Sequence, residues 1–453
     1  MKKLFLLALA FAGMTSCQND DATTADSSFA IKASGADYAA AALLPVQTVS
    51  GDITTATTWT SDKVWEIDGV VRVKGALLTI QPGTYIKAKP AANNVATGVL
   101  VITKTGSISA LGTVSAPVVF TSYRLLDNNA ATAPVPGDFG GVILLGNAEV
   151  NTGVDTNIIE GLGDQANSQD FYYGGVGTGG NGHNAGTIQY ARIEYAGRKL
   201  PTQGNNGVEI NGLTCGGVGS GTTLNHIQVS WGLDDAYEFF GGTVNASYLV
   251  AFSNDDDSFD FDWGYKGSIT KAISIANKNS THSTSTGPVP DSNGIELDNN
   301  ATGTTGMPAT LITRPVITDL SIVGFKDSIS AAALENGIHV RRLGQIALTR
   351  ATTTGYGAGT NAGLRWDVNP TLSSKSALSV HGFASYVLPV VGTYTLAQLV
   401  GPSANTSTAA SAPTWNTSAT FQPFYNEPNF SLAGGNTGAF ATEANWTATW
   451  TIF

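Results

Sequence analysis

Asp235-Ala236-Tyr237-Glu238-Phe239-Phe240 is followed closely by Asp257-Ser258-Phe259-Asp260-Phe261-Asp262, and the two stretches are one pattern written twice. Each opens on a turn-forming aspartate and continues apolar-acidic-apolar, the alternation of a strand whose successive side chains face opposite ways. The pattern recurs in Asn206-Gly207-Val208-Glu209-Ile210-Asn211, Asn293-Gly294-Ile295-Glu296-Leu297-Asp298 and Asn336-Gly337-Ile338-His339-Val340-Arg341. Gly363-Leu364-Arg365-Trp366-Asp367 is a looser copy. Such repetition marks a solenoid, in which each repeat stacks on the last and buries a face it cannot bury alone. Asn or Asp at the head of each copy suits a corner, where its side chain can bond neighbouring backbone.

The alternation sets up two columns. Val208, Tyr237, Phe259, Ile295 and Ile338, with Ile210, Phe239, Phe261, Leu297 and Val340, are expected to stack inside. Glu209, Glu238, Asp260, Glu296 and His339 then form an outward column, with Arg365 as its extension; Asn211, Phe240, Asp262, Asp298 and Arg341 form the column beside it. Paired strands lie about 4.8 Å apart. Acids far apart in sequence therefore become neighbours, which raises their pKa values or recruits a cation.

Working toward the N-terminus, Leu77-Leu78-Thr79-Ile80-Gln81-Pro82-Gly83-Thr84-Tyr85-Ile86-Lys87-Ala88, Gly106-Ser107-Ile108-Ser109-Ala110-Leu111-Gly112-Thr113, Pro117-Val118-Val119-Phe120-Thr121-Ser122 and Gly137-Asp138-Phe139-Gly140-Gly141-Val142-Ile143-Leu144 have the form of further coils. With these segments, roughly Val64 to Asp367 resembles the pectin-lyase-like group of right-handed parallel β-helices. The resemblance implies an all-β fold over residues 51–371, with 372–453 as a C-terminal β-rich cap or extension. It leaves activity open, because this architecture hosts lyases, hydrolases, adhesins and structural shafts.

Composition agrees with an all-β body. The 453 residues include 53 Gly and only 13% charged residues, which leaves few helix formers. The net charge of −11 excludes nucleic acid and anionic membrane surfaces as natural partners and favours cations or ligands bridged by them. Of the two cysteines, Cys17 and Cys215, the first is expected to carry lipid, which leaves no intrachain disulfide.

The N-terminus reads as an export signal over residues 1–16: Lys2 and Lys3, an apolar run from Leu4 to Ala12, then Met14-Thr15-Ser16-Cys17. The run is shorter than the roughly 20 residues that cross a bilayer. Thr-Ser before Cys resembles a lipobox, with Met14 where Leu is usual, and Gln18-Asn19-Asp20-Asp21 resembles the acidic tag of surface lipoproteins of Bacteroidota-type bacteria. These resemblances imply lipidation at Cys17, a flexible tether over 17–50, and display on the outside of the outer membrane.

Calcium, which takes six to eight oxygen ligands in flexible geometry, is the natural partner for the acids. Glu238, Asp260, Asp262, Glu296 and Asp298 are the expected ligands; Asp235, Asp257, Glu209, His339, Arg341 and Arg342 are further ligand-binding or catalytic candidates. In related polysaccharide lyases acids hold calcium against a uronate and an Arg or Lys takes the C5 proton, a layout the acidic column followed by Arg341 resembles. Arg341-Arg342 departs from the expected Arg-x-Lys. Gly232-Leu233-Asp234-Asp235 and Asn254-Asp255-Asp256-Asp257 resemble hydrolase acids loosely, but a Gly-His-Gly motif is absent, since Asn184 follows His183. Tyr172, Tyr173, Tyr190, Tyr195, Trp231 and Trp263 are core residues or sugar-stacking platforms.

The leading expectation is a surface lipoprotein that binds an extracellular glycan or calcium-bridged anion, accessory to an outer-membrane transporter. The rival is a calcium-dependent polysaccharide lyase or glycoside hydrolase. A third reading, a purely structural shaft, predicts that neutralising Asp260, Asp262, Glu296 and Asp298 changes no binding at all.

Overall fold

The computed structural model describes residues 38–90, 98–163, 167–197, 210–277, 280, 290–301, 303, 306–324, 333–354, 356, 363–366, 371–374, 378–380, 439, 446–447 and 449–452. Its strands form a single parallel stack, with one small antiparallel hairpin, Asn157–Ile158 against Tyr172–Tyr173, outside it. The architecture is the expected parallel β-helix.

From Gly186 onward each coil has one long and one short strand. The long strands Gly186–Glu194, Thr223–Ser230, Asn245–Phe252, Ser268–Ile275, Val316–Val323 and Gln345–Thr354 stack in register. So do the short strands Leu213–Gly216, Tyr237–Phe240, Phe259–Asp262, Ile295–Leu297, Ile338–Val340 and Arg365–Trp366. Inward side chains fill the coil as predicted: Tyr237 stacks on Phe259 at 5.2 Å between ring centroids and Phe239 on Phe261 at 5.4 Å. Leu297 and Val340 continue the second row, and all six are buried.

Each long strand bends at one left-handed residue in its middle. Tyr190, His226, Tyr248, Lys271, Asp319 and Arg350 have φ between 46° and 61° and interrupt the pairing at equivalent places. This conformation costs a non-glycine residue roughly 1–2 kcal/mol, and side-chain stacking along the axis offsets it. Tyr190 and Tyr248 sandwich His226 at 4.3 and 4.1 Å, Lys271 lies over Tyr248, and Arg350 pairs with Asp319.

The corner before the short strand is a ladder of Asp and Asn. Asp235 Oδ1 accepts the Asp257 N–H at 2.8 Å, Asp257 Oδ1 accepts the Asn293 N–H, and Asn293 Oδ1 accepts the Asn336 N–H at 3.1 Å. The next residue must be small. A Cβ on Gly294 would lie 2.2 Å from Ile322 Cγ2, and one on Gly212 would lie 2.3 Å from Val229 Cγ1.

Three expectations change. First, the coil below Glu238 is Asn211-Gly212-Leu213-Thr214-Cys215, so Thr214, not Glu209, stands in the column, and Leu213 and Cys215, not Val208 and Ile210, stand inside. Ile210 is buried in a separate cluster, while Val208 and Glu209 lie outside the described residues. Second, residues 38–50, expected in the tether, are structured: Tyr38–Ala41 is a helical turn and Val46–Ile53 pairs with Val64–Val73. The Tyr38 hydroxyl donates to both oxygens of buried Glu194, which is also braced by Arg192 and Thr121. Third, Trp446, Trp450 and Ile452 form no strand and pack on the flank beside Tyr195, Trp231, Phe252 and Ile275. Gln228 holds Ile452 by its backbone N–H and C=O, so this segment covers the side of the helix.

Candidate functional site

The predicted column exists. Glu238, Asp260, Glu296, His339 and Arg365 occupy successive places in the short-strand stack. Asp262 stands beside Phe240, and Asp298 lies one coil on, its N–H bonded to the Phe261 carbonyl at 2.9 Å. Chemically the column falls into two halves.

In the upper half every acid has a base. Arg341, just past the Ile338–Val340 strand, turns back onto both Glu296 and Asp298, with Nε 2.9 Å from Asp298 Oδ1. Arg342 binds the other Asp298 oxygen. Above them Glu335 accepts from Arg365 at 2.7 Å and lies 3.5 Å from His339 Nδ1. Burial and the charge of Asp260 raise the Asp298 pKa to about 7 against the pull of Arg342.

In the lower half acids face acids. Carboxylate oxygens of Asp235, Glu238 and Asp260 lie within 4.8 Å of one another, and so do those of Asp234, Asp235 and Asp256. Two unit charges 4 Å apart cost on the order of 4 kcal/mol at an effective dielectric of 20. A fully ionised trio would cost an appreciable part of the stability of a typical domain. Burial and mutual repulsion push these carboxyls toward their protonated forms. Burial first, then Glu160 and Asp260, raise the Glu238 pKa; burial raises Asp260 to about 6 although Arg341 opposes it. Burial and then Asp257 raise Asp235.

Hydrogen bonds satisfy the trio only in part, the Asp260 carboxyl meeting the Phe261 N–H and Glu238. Asn211 donates to Glu238 Oε2, and Asp235 uses Oδ1 in the corner ladder. Asp260 as a whole residue is partly accessible, but its Oδ1 is closed to solvent and has no hydrogen-bond partner among the described residues. Such an oxygen is costly unless something positive meets it. A hard cation that takes several oxygen ligands fits this donor set.

Of the expected ligands, Glu296 and Asp298 are paired with Arg341 and Arg342, and Asp257 binds Asn293 in the ladder. Asp262 binds the Trp263 N–H at 2.5 Å, and burial followed by Asp260 raises its pKa. Glu160 escaped sequence reasoning. It sits on the insertion that carries the small hairpin and is exposed as a residue, yet desolvation of its carboxyl, then the charge of Asp260, raises its pKa to about 7. Nothing periodic marks it.

Half of the candidate platforms prove to be core. Tyr173, Tyr195 and Trp231 are buried, and Tyr190 has one face on His226. Tyr172 and Trp263 remain half-buried, Trp263 directly after Asp262.

A family model described as a pectate-lyase-like β-helix domain matches residues 51–451. Neither the curated proteins nor the solved structures give a match.

Proposed function

The chain belongs to the pectate-lyase-like β-helix domain family, and from that premise we propose that it is a surface lipoprotein binding an extracellular anionic glycan through calcium on its acidic column. Asp235, Glu238 and Asp260 would hold the ion. The observation that carries this reading is the enclosed Asp260 Oδ1, without a hydrogen-bond partner among the described residues and set among carboxylates within 4.8 Å. A bound calcium supplies positive charge there for the carboxylates of the chain and of the ligand alike. Trp263, half-buried beside Asp262, offers an apolar face for a sugar ring, and Arg341 and Arg342 add positive charge on the same face.

Calorimetric titration with calcium, then with a panel of uronate polymers in calcium or in chelator, tests this. Calcium binding lost in Asp260→Asn, with polymer binding lost in chelator, is the expected result. A protein that binds no calcium, or an Asp260→Asn variant that binds it unchanged, ends the reading.

A lyase is the second reading, favoured by Arg341. It stands on the same face as the acids, paired with Glu296 and Asp298, where it could meet a uronate. Calcium-dependent release of unsaturated products from a uronate polymer, abolished in Arg341→Ala, would replace binding by catalysis.

Lipid on Cys17 places the helix at the cell surface in this proposal, where an outer-membrane transporter would receive the captured ligand. Cys17→Ser should lose incorporation of labelled fatty acid and release the protein from membranes. Retention of both label and membrane would refute the anchor.

A further inference from the structure

We infer that the turn Tyr38–Ala41 and the segment 446–452 form one clasp over the flank of the helix, each holding the platform of the other, so that loosening either releases both. The clasp is built on the long strands, not on the short strands of the acidic column, and does not depend on the cation reading.

Past their bends the long strands alternate between the interior and the flank. Ile193, Val229 and Ala251 turn into the helix core, whereas Val250, Phe252, Ile273, Ile275 and Val323 turn out. Outward apolar side chains would face solvent, yet these five are at most 2% exposed. Trp446, Trp450 and Ile452 pack over them. The segment is pinned at two coils. Gln228 accepts the Ile452 N–H at 2.9 Å and donates to its carbonyl at 2.5 Å. Three coils farther along the axis, Ser321 Oγ accepts the Ala439 N–H at 2.9 Å. The indole N–H groups of Trp446 and Trp450 donate to the Ala439 and Trp446 carbonyls at 3.0 and 2.8 Å, which makes the two anchors one unit.

One coil below Gln228 the same column holds Arg192, with Glu194 two residues on. Both are fully enclosed and lie 3.1 Å apart as an ion pair. A buried pair stabilises only with good geometry and further hydrogen bonds. Tyr38 supplies them, its hydroxyl 2.8 and 2.7 Å from the two Glu194 oxygens and its ring centroid 5.9 Å from the Arg192 guanidinium. Two contacts join this turn to the segment. Leu125 packs against both clusters, that of Tyr38 with Leu126 and that of Trp450 with Phe252. Tyr195, directly after Glu194, is left-handed at φ 57° and stacks on Trp231 at 5.1 Å within the cluster of the segment. That backbone is unfavourable for a non-glycine residue, so Tyr195 keeps its place only while Glu194 is held on one side and the aromatic cluster on the other. A pull on the chain before Tyr38 would therefore uncover the apolar flank.

The test is hydrogen exchange of the full-length protein, read on peptides covering residues 38–44 and 446–452 and, as reference, 237–240. Tyr38→Phe keeps the ring and removes the hydroxyl. It should speed exchange about tenfold in both clasp peptides, the shift expected from losing a hydrogen bond to a charged group, and leave the reference unchanged. Trp450→Ala, or Gln228→Ala where that variant does not fold, should do the same from the other side. Gln47→Ala, an exposed residue on the strand after the turn, should change neither peptide. Exchange that quickens only in the peptide next to each substitution marks two independent contacts and overturns the inference. Quickening that extends equally to residues 237–240 is loss of the whole fold and overturns it too.

Discussion

Successive coils of one face carry the same kind of residue and resolve it in opposite ways. Glu296 and Asp298 meet Arg341 and Arg342, whereas Glu238 and Asp260 meet each other and Asp235. Glu238, Asp260 and Glu296 occupy equivalent strand positions, so the fold does not cause the difference. The residues brought in by the next coil do. Arg341 and Arg342 come directly after Val340, while the coil above Glu238 brings Asp260 and Asp262 instead. Acids that are paired within the chain hold coils together. Acids left facing one another store repulsion, and that repulsion is what a cation can relieve.

The largest effect should come from breaking the paired half. Asp298→Ala leaves Arg341 and Arg342 facing each other with one partner between them, at a site where Asp298 is 5% and Arg341 26% exposed. Removing one member of a buried pair costs roughly 3–5 kcal/mol. The partial exposure of Arg341 puts this loss near the lower end, about 3 kcal/mol, read by urea denaturation at pH 8. A loss below about 1 kcal/mol would erase the contrast between the halves.

The unpaired half should respond the other way. In chelator, Asp260→Asn removes repulsion and should be neutral or slightly stabilising. With calcium at a few tens of times its dissociation constant, the wild type should gain about 2 kcal/mol from ligation, seen as a higher Tm, and Asp260→Asn should lose most of it. Equal gains in both proteins would place the ion elsewhere.

Much of this contrast was legible beforehand. The repeat gave the register from Glu238 to Arg365 and the aromatic interior, because a period of two leaves one choice of face once the corners are known. The lowest copy failed because Asn206-Gly207 and Asn211-Gly212 both offer a corner. Glu209 made the first look acidic; the structure uses the second, where Gly212 is sterically required. The pairing of Arg341 depends on side-chain torsions after a strand has ended, which periodicity does not encode. Glu160 lies on an insertion outside the repeat, where no period points to it. The left-handed bends fall on Tyr190, His226 and Tyr248, where glycine would have announced them and these residues do not.

Acidity should separate the halves more gently. Burial pushes Asp260 up to about 6 from an ordinary 3.8 and raises Asp235 and Glu238 as well. The folded state therefore holds these protons more tightly than the unfolded one, so stability from them is full below about pH 4 and drains away as pH rises toward 7. In chelator the melting temperature should be higher at pH 5 than at pH 8, and calcium, which favours the ionised forms, should close the gap. A wild type whose gap is as flat as that of Glu238→Gln/Asp260→Asn would deny these carboxyls any part in it.

The smallest effect tests whether proximity alone makes a ligand. Asp257 is as buried and as acidic as Asp235, and it raises the pKa of Asp235. Its Oδ1, however, accepts from both the backbone and the side chain of Asn293. The next two coils place Asn293 and Asn336 at the same corner, and Asn293 keeps the same Oδ1 acceptor role toward Asn336. Asp257→Asn should therefore preserve the ladder, change stability by less than about 0.5 kcal/mol, and leave calcium affinity within about threefold, the loss expected from removing one neighbouring charge at high effective dielectric. Asp235→Asn should weaken binding far more, because its carboxylate belongs to the trio. If the two variants weaken calcium equally, the site is a diffuse acidic field, and the geometric distinction between a ladder residue and a ligand fails.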